Sequence, residues 1–76
     1  MNDKNAEVTA AIMEAEDLTR RAVLAWERVQ RAEDAIAQDP EEPHVMRACA
    51  RRGVQLAEAK LILLRQVDRF SRGGER

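Results

Sequence analysis

Apolar and small side chains recur along the first half of the chain at Val8, Ala11, Ala15, Leu18, Ala22, Ala25, Val29, Ala32 and Ile36, an unbroken three-four spacing. An α-helix repeats every 3.6 residues, so this spacing gathers all of them on one narrow stripe, and such a stripe needs another helix against it. No Pro or Gly interrupts the stretch from Asn5 to Gln38. The simplest reading is a single helix of about 34 residues, roughly 50 Å long at 1.5 Å per residue.

The break that follows, Asp39-Pro40-Glu41-Glu42-Pro43-His44, carries both prolines of the chain. Proline disfavours helix in the residue before it and fits the first turn of a new one. Asp39 and Glu42 have the spacing of a capping box with Pro40 at the first helical position; the other possible start has Glu42 as cap and Pro43 first. Either start predicts a second helix from about Pro43 to Ser71, after which residues 72–76 should fray. Its stripe is Met46, Cys49, Gly53, Leu56, Lys60, Leu63, Val67 and Phe70. Lys60 is the polar interruption, and a lysine stem can lie along apolar surface with its ammonium at the edge.

So short a connection between long helices makes them antiparallel. The predicted fold is all-α, one domain over residues 1–76, an antiparallel two-helix hairpin of coiled-coil type completed by homo- or hetero-oligomerisation into a helical bundle. A fold near residue 41 sets Gly53 opposite position 29 and predicts the Trp26 indole beside it. Glycine on a buried stripe lets a bulky neighbour come close.

Two stretches, Ala22-Val23-Leu24-Ala25-Trp26 and Leu61-Ile62-Leu63-Leu64, exceed what one seam needs. They are apolar around most of the helix, and a hairpin covers only one side of each. The same register places them at nearly one height, which predicts an exposed apolar band. Val23, Leu24, Trp26, Leu61, Ile62 and Leu64 are therefore the candidate partner interface. Each large side chain is worth roughly 1.5–3 kcal/mol on full burial, enough to drive association.

Composition agrees with helix: 13 alanines, no Tyr, one Phe and one Trp. Charge is divided between the halves. Residues 1–43 hold 5 basic and 11 acidic side chains, a net of −6, whereas residues 44–76 hold 8 basic and 3 acidic, a net of +5. An acidic helix beside a basic one gains modest attraction along the seam. At 76 residues a core is marginal without a disulfide, a metal or an oligomeric partner.

Chemistry is scarce. Cys49 is the only cysteine and His44 the only histidine, so no zinc site and no internal disulfide can be assembled within one chain, and no cofactor is expected. The start Met1-Asn2-Asp3-Lys4-Asn5 lacks a signal-peptide apolar segment, and no run approaches the ~18 apolar residues of a membrane span. The expected location is the cytoplasm. Carboxylates such as Glu14, Glu16, Asp17, Asp34, Glu41 and Glu42 would need a pocket to shift their pKa values for acid/base work, and a two-helix hairpin has little interior. No enzymatic activity is expected. Nucleic acid is the rival partner, through Arg47, Arg51, Arg52, Arg65, Arg69 and Arg72 on the second helix. A net charge of −1 and the absence of aromatics among these arginines oppose it, unless two hairpins bring their basic helices to one face of a homodimeric four-helix bundle.

The stretch Val54-Gln55-Leu56-Ala57-Glu58-Ala59-Lys60-Leu61-Ile62-Leu63-Leu64 resembles the second helix of the small helical-hairpin co-chaperones of bacterial type III secretion, the E-type family. That resemblance implies a heterodimer whose apolar band packs on a larger tetratricopeptide-like chaperone, without an enzymatic step. The Pro40-Glu41-Glu42-Pro43 turn is similar to the turn of needle subunits, which implies a structural subunit as a further alternative. Here the chain departs from them in its polar Gly-Gly-Glu-Arg end.

Overall fold

A computed structural model describes residues 3–73, and the side chains of residues 3–70. Helix α1 spans Asp3–Ala37 and helix α2 spans His44–Gly73. They lie antiparallel in a hairpin measuring 63 × 21 × 12 Å. At the turn, α1 ends one residue before the expected Gln38 and α2 begins one residue after the expected Pro43. Of the tail expected to fray, residues 72–73 continue α2, and residues 74–76 lie outside the described residues.

Asp39 organises the turn. Its carboxylate accepts the Glu41 N–H at 2.9 Å, and its carbonyl accepts the Glu42 N–H at 3.2 Å. This is a turn closed by an Asx side chain. The first bond of α2 runs from the Arg47 N–H to the Pro43 carbonyl at 3.0 Å, so Pro43 occupies the cap position and His44 opens the helix. Neither predicted start is used. Pro43 drives Glu42 out of helical conformation, and a helix begun at Pro40 could not pass through it.

The larger correction concerns which faces meet. The sides of the helices turned toward each other carry Glu16, Thr19, Val23, Trp26, Gln30, Glu33 and Ala37 on α1, and Arg47, Ala50, Val54, Ala57, Leu61, Leu64 and Asp68 on α2, all buried or half-buried. This spacing is also three-four, but it stands one residue beyond the predicted stripes. Ala50, Ala57 and Leu61 are its fully buried members. The alanines let the backbones approach closely, and Leu61 fills the space between them and the Val23 and Trp26 side of α1. An ion pair between Arg65 Nη2 and Glu27 Oε2 at 2.7 Å bridges one flank.

The register also differs from a fold at residue 41. A Cβ on Gly53 would meet Glu33 Cδ at 2.7 Å, and Lys60 Nζ lies 4.2 Å from the Trp26 ring centroid. Trp26 is thus level with Lys60, and Glu33 takes the place beside Gly53. The turn carries the chain past the end of α1 before α2 begins, which shifts the pairing by about one helical turn. At the other end α1 runs on beyond α2, leaving Val8, Ile12 and Met13 exposed.

Candidate functional site

Stepping back one residue along an α-helix turns the side chain about 100° around the axis. In an antiparallel pair the same backward step on both helices points to the same side of the hairpin. The two predicted stripes therefore share one broad face. On α1 it presents Ala15, Leu18, Ala22, Ala25, Val29, Ala32 and Ile36, and on α2 Met46, Cys49, Gly53, Leu56, Lys60, Leu63, Val67 and Phe70. Leu63 is 63% exposed and Phe70 83%, with Leu18, Met46, Leu56 and Val67 each about half exposed.

Lys60 is the one cation among these positions, and it lies over the Trp26 ring. The Glu33 carboxylate reaches over Gly53. The remainder is hydrocarbon and the Cys49 thiol, which is exposed. Soluble monomers rarely expose contiguous apolar surface of this extent. The stripes were legible in the sequence; that they face outward was not.

The six residues expected to form an exposed band are divided by the structure. Leu61 is 1% exposed and belongs to the contact between the helices. Val23, Trp26 and Leu64 are half-buried on the same contact. Leu24 and Ile62, 57% and 52% exposed, stand on the flank opposite the apolar face. That band is not a continuous exposed surface, because four of its members lie between the helices and two on the flank.

The candidate nucleic-acid contacts are dispersed in a similar way. Arg47 is half-buried between the helices, and its Nε is buried with no hydrogen-bond partner. Arg52 points away from both flanks. Arg51, Arg65 and Arg69 share the polar flank with Arg20 and Arg31, interleaved with Asp17, Glu27, Asp34 and Glu58. Arg65 is held by Glu27, and Asp17 pairs with Arg21 at 3.0 Å and with Arg20 at 3.7 Å. This flank is a mixture of signs, and the Arg72 side chain lies outside the described ones.

Among the described residues no group of His, Cys, Asp and Glu is arranged to hold a metal ion. No helix among the described residues is long and apolar enough to cross a membrane. Arg20, Val23, Leu24 and Asp68 line a shallow, open cleft of about 230 Å³ on the polar flank. Of the carboxylates considered for acid/base work, Asp34 accepts from Gln38 Nε2 at 3.0 Å. No protein-family model, curated protein or solved structure matches the chain.

Proposed function

We propose that the chain is a non-enzymatic interaction module that works by helix-to-helix contact through the apolar face of Leu18, Val29, Leu56, Leu63, Val67 and Phe70. The observation behind this reading is the placement of two heptad-spaced apolar stripes on one open side of a hairpin a single helix thick. A layer one helix thick covers neither of its sides, and a domain needs at least two packed layers around its core. The co-chaperone likeness fits such a face, since it implies a hairpin laid on a larger helical chaperone. The reading places the protein in the cytoplasm, where the exposed Cys49 thiol stays reduced.

A photo-cross-linking residue placed at Leu56 or Leu63 in the producing cells tests it, against the same residue at Leu24 or Ile62. Polypeptide adducts are expected from positions 56 and 63 and not from positions 24 and 62. Equal yields from the two faces, or adducts confined to the polar flank, would overturn the reading. Adducts to nucleic acid from the arginine-bearing flank, lost as salt rises, would establish the rival one.

A further inference from the structure

Resting on that reading, we infer that the occupant of the apolar face is a second copy of this chain, related by a two-fold axis parallel to the helices, so that each α1 packs on the partner's α2 in a four-helix bundle. The area argues for an occupant of this size. The chain exposes 6256 Å², whereas a compact monomer of 8.6 kDa exposes roughly 4,700 Å². The excess reflects the elongated single layer, and a partner covering about half of it would match the ~800 Å² per partner of a standard interface. A second hairpin also brings the 12 Å thickness close to the 21 Å width.

The face is complementary to itself. Its α1 stripe is dominated by small side chains, Ala15, Ala22, Ala25 and Ala32, and its α2 stripe by large ones, Met46, Leu56, Leu63, Val67 and Phe70. A two-fold axis along the helices keeps every residue at its own height, so the partner's α2 meets α1 at the register already seen within the hairpin. At that register the copy's Phe70 falls between Ala15 and Leu18, its Val67 between Leu18 and Ala22, and its Leu63 between Ala22 and Ala25. Further along, its Leu56 falls between Val29 and Ala32, and its Gly53 beside Ala32. At the same register Lys60 falls between Ala25 and Val29 with its stem along the seam, and Met46 lies past the end of α1, so the apolar knobs from Leu56 to Phe70 meet holes without any sliding adjustment.

Charge selects the same arrangement. The acidic half of the chain, net −6, lies over the partner's basic half, net +5. A two-fold axis running across the helices would instead stack α1 on α1 and α2 on α2, like charge on like charge and large stripe on large stripe.

The two arrangements differ most at the turns. A spin label at Glu41→Cys, in a chain also carrying Cys49→Ser, reads the turn-to-turn distance by pulsed dipolar spectroscopy. The proposed dimer places both turns at one end, with a label separation under about 30 Å, because neighbouring helix axes in a bundle lie ~10 Å apart. A separation approaching the 63 Å length of the hairpin overturns the arrangement. Absence of dipolar coupling at the highest soluble concentration overturns the second copy. If coupling is absent while position 63 still cross-links to another polypeptide, only the second copy fails; if position 63 cross-links to nothing, the interaction reading fails with it.

Discussion

Gly53 shows how a single residue can be flagged by sequence and still be misread. Glycine inside a helix costs about 1 kcal/mol against alanine, so its place on a stripe signals a close neighbour. That neighbour is Glu33, whose Cδ and Oε2 would lie 2.7 and 2.8 Å from an added Cβ. These atoms are the far end of a flexible, half-exposed side chain, and no backbone or ring stands in the way. Gly53→Ala should therefore raise the thermal midpoint, with a gain of about 0.5–1 kcal/mol from helix propensity once Glu33 swings aside. A fall in the midpoint would show that the space over Gly53 is not so easily cleared. The sequence signal was the need for space; the claimant, Trp26, was wrong because the register depends on the climb of the turn, which no local pattern encodes.

At the scale of the elements, the break between the helices was legible because Pro40 and Pro43 act locally. The inward faces were not. Three-four spacing is satisfied by two stripes one residue apart on each helix, and periodicity alone cannot choose between them. The choice rests on what packs best: Ala50 and Ala57 allow close approach, Leu61 fills the resulting layer, and Glu27 and Arg65 close the polar flank. Adjacent residues should then behave very differently. Leu61→Ala is expected to cost about 2–5 kcal/mol by opening a cavity between the helices, whereas Ile62→Ala should stay within about 0.5 kcal/mol. Denaturation followed by helical circular dichroism measures both, and similar losses would mean that Leu61 is not the centre of the hairpin. Of the predicted interface, Leu24 and Ile62 prove exposed but stand away from the face the stripes build, and the other four serve the contact between the helices.

As a whole molecule, the hairpin is long, thin and poorly covered, with Ala50, Ala57 and Leu61 as its fully buried apolar residues. So small a core is marginal, since 76 residues with no disulfide approach the lower limit for independent stability. The all-α hairpin was readable from the sequence at this scale. What the sequence left hidden was which side of each helix faces the other, because that depends on the rotation of α1 and α2 about their axes. Once the rotation is known, the opening stripe takes a new role: it builds the exposed apolar face that we propose as the binding surface.

Sedimentation equilibrium of the full chain beside two double variants tests this most directly. The wild type and the Leu24→Asp, Ile62→Asp variant should both sediment at twice the 8.6 kDa chain mass, and the Leu56→Asp, Leu63→Asp variant at the chain mass itself. A wild type that remains at 8.6 kDa at every loading, or a Leu56→Asp, Leu63→Asp variant that still doubles, would contradict the account.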